Sequence, residues 1–411
     1  MNLFKNYNER ALQNTLAWPG ANGHALRMAL QRLFVTILIT LFSLSANAGE
    51  VTFLLHWSHQ AQFAGYYVAK DKGFYQKRGR DVVIQRGGYD VNARACMAED
   101  NPVFCTTMLF TALEIRDKGF PLVHLAQVVN RANFTLVAWK KRGILKPEDL
   151  QGRRVTLWLK EYEAPYDGFF KRYGLHPVIE PQFFTVNLFL RGGVDACAAM
   201  YYNEYHTMLQ CGVDPEELTT FNMWEHGADF PEDGIYCTEQ IATSQPALCR
   251  DIVEASLEGW IYAKDHPEEA LDIVMEYVRR GHVPTNRAHM KWMLEKMLAS
   301  IFPGPGDAWQ FGVLSPERYD HAVMLLREQK LIRGAPAFSE FHPPSSRGAR
   351  ALGTTELRPS SSRGARTLVT TEDKPSSSTG GVTSAVANEA MADKAAGSAK
   401  ILHRETNQNA H

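Results

Sequence analysis

The sequence predicts an α/β fold over residues 51–333, because short apolar runs alternate there with helical patterns. The chain has 411 residues, of which 45% are hydrophobic and 11% aromatic, which is enough for a large core. Such alternation is typical of mostly parallel sheets covered by helices. Strands are expected at residues 51–55, 81–85, 103–106, 123–129, 134–139, 154–158, 181–184 and 196–200.

Helical patterns lie between these strands and dominate after Tyr236. Ser244 and Thr285 are candidate N-caps, and Pro267 suits the first position of a helix. Helices are expected at residues 63–71, 92–99, 109–118, 166–173, 246–264, 267–279, 286–300 and 316–329. Apolar residues recur at helical spacing in the later helices and are expected in the core: Trp260, Leu271, Met275, Trp292 and Leu298.

Residues 1–48 form an N-terminal extension with a secretory signal that starts at about Met28. Arg32 precedes the apolar run 33–44, and Ala46-Asn47-Ala48 provides a small-x-small cleavage site. The run is too short for a comfortable membrane span. We therefore expect export to the periplasm, with two explanations open for residues 1–27: a start at Met28, or a cytoplasmic or disordered extension.

Residues 336–411 have the composition of a disordered tail. Ser, Gly, Ala, Thr and Pro dominate. The segment repeats with a period of 16 residues, so that Arg347 corresponds to Arg363 and Pro359 to Pro375. Such a segment has too little apolar surface to offset the loss of chain entropy on folding.

Charge and cysteine content narrow the function further. The formal net charge of −1 provides no basic field for nucleic acid, so no nucleic-acid partner is expected. Six cysteines allow 15 complete pairings, with Cys96–Cys105 and Cys237–Cys249 as the closest plausible pairs in an oxidising compartment. Spacings typical of zinc sites are absent from the sequence, and His282 and His289 are expected to be structural or surface histidines, so we predict neither metal nor cofactor.

The first candidate binding segment is the loop after the strand 51–55. Trp57 offers a flat apolar face, while His59, Gln60 and Gln62 offer hydrogen bonds just before a helix N-terminus. This combination of an apolar face and hydrogen-bonding side chains suits the binding of a small planar polar molecule. The alternative is that Trp57 simply packs in the core.

The second candidate segment follows the strand 196–200, at its carboxyl end, where α/β sheets bind ligands. Tyr201 provides a stacking surface, and Asn203 with Glu204 can bond an amine or aminopyrimidine. The alternative is that Asn203 and Glu204 only cap a helix. Residues 223–238 are expected to carry the chain back from one α/β lobe to the other and to bring Trp224 or Glu232 to the ligand-binding cleft.

Catalytic templates fit the sequence poorly. There is no GxSxG elbow, no Walker A lysine and no GxGxxG after a strand. No catalytic residue is predicted, and a binding protein is favoured over an enzyme.

Several segments resemble one known family over about residues 50–335: HWSHQAQFAGYYVAKDKGFYQKRG, DKGFPL, GGVDACAAMYYNEY and EDGIYCT. That family unites bacterial periplasmic proteins that bind thiamine-pyrimidine precursors with fungal thiamine pyrimidine synthases. It is similar to the sulfonate- and taurine-binding proteins of ABC transporters. The resemblance implies a type II periplasmic-binding-protein fold, with Trp57 stacking on the ligand and Asn203 and Glu204 facing the pyrimidine.

The resemblance also separates the two activities of the family. The synthase uses a lysine that binds pyridoxal phosphate, a sacrificial histidine and a cysteine-rich iron motif. Thr107 and Thr111 occupy the first two positions here, and only Cys237 lies in the region of the third.

We therefore expect a solute-binding protein that delivers a pyrimidine thiamine precursor, or a related heteroaromatic or amine, to an ABC permease. Ligand would bind by lobe closure. Lobe one is expected at residues 49–140 plus 236–335, and lobe two at 141–235. The alternatives are a synthase-type enzyme and a ligand-sensing module for a signalling partner.

Overall fold

Two five-stranded sheets, each packed with helices, form two α/β lobes in the computed structural model. The structure describes residues 50–88, 90–91, 102–158, 162–307 and 309–343. The predicted signal peptide, the helix expected at 92–99 with Cys96, and the tail from residue 344 lie outside these residues.

The sheet of lobe one has the strand order β2-β1-β3-β10-β4. β1 runs parallel to both β2 and β3, whereas β10 runs antiparallel to β3 and β4. The strands are β1 (Val51–Leu54), β2 (Val82–Gln85), β3 (Val103–Met108), β4 (Leu122–Gln127) and β10 (Asp233–Thr238).

The sheet of lobe two has the order β7-β6-β8-β5-β9. β6 is parallel to β7 and β8, and β5 is antiparallel to β8 and β9. The strands are β5 (Phe134–Trp139), β6 (Arg154–Leu157), β7 (Val178–Pro181), β8 (Ala196–Met200) and β9 (Leu218–Asn222).

Residues 128–133 and 223–232 carry the chain between the two sheets. The strand pairing therefore places residues 134–139 in lobe two and 233–235 in lobe one, which differs from the expected boundaries at 140/141 and 235/236. The expectation of mostly parallel sheets is confirmed, because four of the five strands in each sheet run in the same direction and one runs against them. β5 and β10 each enter from the neighbouring lobe and so run against the strands beside them.

The helices follow the predicted pattern closely, with corrections at their starts. Gln245, not Ser244, precedes the long helix α8, and Ser244 ends α7. Asn286, not Thr285, caps α10 by accepting from the His289 backbone N–H. The helices are α1 (Ala64–Asp71), α2 (Phe74–Lys77), α3 (Leu109–Asp117), α4 (Ala164–Tyr173), α5 (Asn187–Leu190), α6 (Glu204–Gln210), α7 (Glu239–Ser244), α8 (Pro246–Asp265), α9 (Pro267–Arg280), α10 (Arg287–Ile301), α11 (Pro316–Glu328) and α12 (Phe338–Phe341).

The strand expected at 181–184 lies earlier, at Val178–Pro181. Its pairing with β6 runs from Arg154–Val178 to Leu157–Pro181, and no partner strand extends further. Pro181 suits the end of an edge strand because it cannot donate to a ladder. Phe183 and Phe184 are thereby released from the sheet.

The core confirms the apolar stripes of the helices. Trp260 and Leu271 are buried, while Met275, Trp292 and Leu298 are partly buried and pack against the core clusters. α1 and α8 cross closely at two glycines: a Cβ at Gly259 would lie 2.0 Å from the Gly65 carbonyl oxygen. This crossing holds the start of α1, and with it the loop that carries Trp57.

Cys237 and Cys249 face one another, with 3.9 Å between their Sγ atoms, and they are not bonded in a disulfide. Burial raises the pKa of the Cys237 thiol. Within the described ranges, none of the helices combines the length and apolar character needed to cross a membrane.

Candidate functional site

A cavity of ≈ 620 Å³, including the open space at its mouth, lies between the lobes. Lobe one lines it with His56, Trp57, Gln60, Gln62 and Met108. Lobe two lines it with Phe134, Trp158, Tyr162, Phe183, Phe184, Met200, Tyr202, Asn203 and Glu204.

Aromatic rings from the two lobes meet across this cavity. The ring centroids of Trp57 and Phe184 are 6.1 Å apart with the planes tilted by 41°. Phe183 and Phe184 are 73% and 68% exposed, and the Trp158 indole N–H donates to the Phe183 carbonyl at 3.1 Å. Such flat apolar surfaces suit contact with a planar ligand.

The polar wall of lobe one is organised by Asp233 at the start of β10. Its Oδ2 accepts from the Gln62 amide at 2.9 Å, and Gln62 Oε1 accepts from the Gln60 amide. His56 Nε2 lies 3.6 Å from Asp233 Oδ1. Burial raises the pKa of the Asp233 carboxyl, while the nearby His56 opposes that rise.

The polar wall of lobe two is the carboxyl group of Glu204, at the end of β8. Its Oε2 accepts from the Met200 backbone N–H at 2.9 Å, and its Oε1 accepts from the Asn203 amide at 2.8 Å. Burial raises the pKa of Glu204 from 4.5 to about 7, although these hydrogen bonds favour the ionised form. Glu204 can therefore accept from a ligand donor near neutral pH.

Asn203 stands at the N-cap position of α6, but its side chain makes no capping hydrogen bond. The amide instead bonds Glu204 on one side and His289 of α10 on the other. The interpretation that Asn203 only caps a helix is therefore wrong.

The raised pKa of Glu204 predicts a pH dependence of stability. The folded state binds this proton more tightly than the unfolded state, so the resulting destabilisation is absent below pH 4.5 and complete above about pH 7. The wild-type protein should therefore lose free energy of unfolding between pH 5 and pH 8. We expect this loss to be about 2 kcal/mol smaller in Glu204→Gln, a value reduced to allow for the partial exposure of Glu204. Urea unfolding at both pH values measures it.

Glu216→Gln is the matched control, because Glu216 is an exposed residue of lobe two. Its pH 5 to pH 8 difference should equal that of the wild type. Some dependence remains in the Glu204 variant, since burial also raises the pKa of Glu232 and Asp233. An unchanged difference in Glu204→Gln would contradict the assignment of the shift to Glu204.

The structure brings five of the predicted site residues to the cavity wall: Trp57, Gln60, Gln62, Asn203 and Glu204. His59, Tyr201 and Trp224 do not line it, and each packs elsewhere. His59 Nδ1 lies 3.0 Å from the Tyr67 hydroxyl, and Tyr201 stacks on Tyr205 with centroids 4.9 Å apart. Trp224 lies under the Arg131 guanidinium at 5.3 Å and is half-exposed.

Glu232, the other candidate of residues 223–238, is also absent from the wall. Its carboxyl is buried and accepts from the Asn133 side-chain amide at 2.9 Å. This contact ties together the two connections between the lobes. Glu232 therefore has a structural role at the crossover.

Several lining residues had no signal in the sequence. Phe183 and Phe184 fall within the strand expected at 181–184, and Tyr202 adjoins the predicted site residue Tyr201. His56 adjoins Trp57 and offered the one usable signal, a polar ring beside the stacking residue. Among the described residues, no cluster of three or more His, Cys, Asp or Glu side chains is placed to hold a metal ion.

The comparisons with known proteins agree with this architecture. The periplasmic aliphatic sulphonate-binding protein SsuA from Escherichia coli shares the fold, with a TM-score of 0.53, 12% identity, and coverage of 80% of this chain and 97% of that one. At this identity the likeness shows the fold alone.

Two relatives by sequence point to different activities. Riboflavin-binding protein RibY of Chloroflexus aurantiacus is 26% identical over 237 residues, which cover 56% of this chain and 66% of the relative, just under two thirds. The 4-amino-5-hydroxymethyl-2-methylpyrimidine phosphate synthase of Legionella pneumophila is 20% identical over 245 residues, covering 57% and 75%.

The family model described as NMT1/THI5 like matches residues 60–270, just over half of the chain. That range includes the first helix after Trp57, the whole second lobe and the crossovers. The chain belongs to the NMT1/THI5-like family.

Proposed function

We propose that the protein is a solute-binding protein of an ABC importer that binds a thiamine-pyrimidine precursor or a related small heteroaromatic by lobe closure. The observation that carries this proposal is the cavity between the lobes, with aromatic rings on opposite walls and a carboxyl group from lobe two. The expected place of action is the periplasm, where an inner-membrane permease would receive the ligand.

The chemistry of the walls favours a ligand that donates hydrogen bonds. Glu204 is an acceptor when ionised, and the amide chain of lobe one ends on the Asp233 carboxylate. The Asp233 carboxylate fixes the orientation of the Gln62 amide, and Gln62 Oε1 in turn accepts from the Gln60 amide. An aromatic ring with an exocyclic amine satisfies Glu204 at its edge while its faces stack on Trp57.

A second ligand to test is a fused heteroaromatic, because one relative is named as a riboflavin-binding protein. The flat face of Trp57 can stack on either ligand.

The alternative function is a synthase, which the names of two relatives suggest. Thr107 lies in β3 and Thr111 in α3, at the positions where the resemblance puts the cofactor lysine and the donor histidine. We expect purified protein mixed with pyridoxal phosphate to show no Schiff-base absorbance. The enzyme would be favoured if such absorbance appeared, if borohydride removed it by reducing the Schiff base, and if the lysine trapped in this way mapped to this cavity.

A thermal-shift screen of the full chain tests the proposed function. The compounds are 4-amino-5-hydroxymethyl-2-methylpyrimidine, a formylated aminopyrimidine, thiamine, riboflavin, taurine and alkanesulfonates. A ligand at a hundredfold excess over its Kd should stabilise the folded state by about 2.7 kcal/mol. Stabilisation by alkanesulfonates alone would contradict the aromatic assignment.

A further inference from the structure

Helix α10 connects the two lobes beside the candidate site. Met290 and Met293 on one face are buried in the large core cluster, and the helix packs against the short turn Ala61–Phe63 of lobe one. On its other face, Trp292 packs against the smaller cluster of lobe two, and its indole N–H donates to the Tyr201 carbonyl at 3.3 Å. α10 therefore reaches the strand end that carries Asn203 and Glu204.

A chain of hydrogen bonds runs from α10 to the cavity wall. His206 Nδ1 and His289 Nδ1 are 2.9 Å apart, and His289 Nε2 is 2.8 Å from Asn203 Oδ1. The Asn203 amide then donates to Glu204 Oε1 at 2.8 Å. The chain ends on a carboxyl group that lines the cavity.

The chemistry of the two ends determines the direction of every bond in this chain. An ionised carboxylate only accepts, so the Asn203 NH₂ group faces Glu204 and its carbonyl faces His289. A carbonyl also only accepts, so His289 must carry its hydrogen on Nε2. Burial lowers the pKa of His289 to about 4, so the ring is neutral and its Nδ1 accepts from His206.

We propose that His289 is a positioning residue of the ligand site, which acts through Asn203 to hold the Glu204 carboxylate toward an amine-bearing ligand. Without the Nε2–H donor, the part-buried Asn203 carbonyl oxygen loses its hydrogen-bond partner, and the side chain is no longer held where its NH₂ group donates to Glu204 Oε1. Because His289 belongs to α10, the helix that joins the lobes also orients the ligand-binding carboxylate.

The hydrogen-bond chain is tested without ligand. Imidazole nitrogen–proton correlations measured by NMR at pH 8, above the Glu204 pKa of about 7, should show neutral His289 with its proton on Nε2. Asn203→Ala should shift the His289 signals. The proposal would be overturned if the His289 proton were on Nδ1, or if Asn203→Ala left the His289 signals unchanged.

The effect on binding rests on the proposed function and uses two probes, 4-amino-5-hydroxymethyl-2-methylpyrimidine and its analogue without the 4-amino group. His289→Leu should weaken the amine-bearing probe about tenfold and the analogue less than about twofold. His289→Gln, whose amide can replace the Nε2–H donor, should restore affinity to within about threefold of wild type.

Equal loss for both probes, or no rescue by glutamine, would mean that His289 is only structural and would overturn its positioning role. His321→Leu on the exposed face of α11 is the matched control and should change neither affinity. If the wild type binds neither probe, the proposed ligand class fails, whereas the NMR measurement still decides the hydrogen-bond chain.

Discussion

Trp57→Ala should lower the affinity for a planar heteroaromatic ligand by on the order of 100-fold, because removal of an aromatic platform at a binding site costs about 2–3 kcal/mol. Trp57 lines the cavity beside Phe184, and its loss removes the largest flat apolar surface that lobe one offers the ligand. Isothermal titration of the best compound from the thermal-shift screen measures the change.

Trp224→Ala is the control for this experiment. Trp224 is a half-exposed tryptophan of the same chain that does not line the cavity. Its removal should change affinity less than about twofold, in keeping with substitutions outside an interface. If Trp224→Ala weakened binding while Trp57→Ala did not, the cavity between the lobes would not be the binding site.

Gly259→Ala should destabilise the folded protein by about 3 kcal/mol, at the upper end of the usual cost of overpacking. The added Cβ would lie 2.0 Å from the Gly65 carbonyl oxygen and 2.9 Å from the Ala69 backbone nitrogen. These are backbone atoms, so α1 and α8 must move apart. Urea unfolding gives the free energy directly.

Gly334→Ala is the matched control, since a Cβ there would meet nothing within 4 Å. It should change the unfolding free energy by less than about 0.5 kcal/mol. A stable Gly259→Ala protein would show that the α1–α8 crossing can widen at little cost. Its ligand affinity would then report whether α1 positions the Trp57 loop.

The local pattern of the chain was sufficient for most elements. β1, the Trp57 loop and α1 lie within 21 consecutive residues, and their apolar spacing is a local feature. The same holds for α8, α9 and α10, whose boundaries the sequence places within one or two residues. Trp57 and Glu204 were identified because each follows a strand end, the position where α/β folds bind ligands.

The strands β9 and β10 escaped prediction because polar residues interrupt them. β10 begins with Asp233 and Gly234, and the burial of these residues comes from β3 and β4 on either side. Their identity as a strand depends on partners more than 100 residues away in sequence. Propensity within a short window does not contain that information.

The choice among neighbouring polar and aromatic residues also depended on long-range contacts. Tyr201 and Tyr202 are adjacent, yet one stacks near α10 and the other lines the cavity. His56 rather than His59 faces the cavity, since His59 bonds the Tyr67 hydroxyl on the other side of the loop. A one-residue difference reverses the direction of a side chain, and composition cannot resolve it.

The sequence alone established an α/β chain of the NMT1/THI5-like kind, with a tryptophan loop and an Asn-Glu pair at two strand ends. These features depend on local periodicity and on short motifs. The tertiary structure brought those two strand ends to one cavity, added Phe183 and Phe184 to its wall, and connected Glu204 to His289. Those contacts join residues that are distant in the chain, so only the packing of the two lobes determines them.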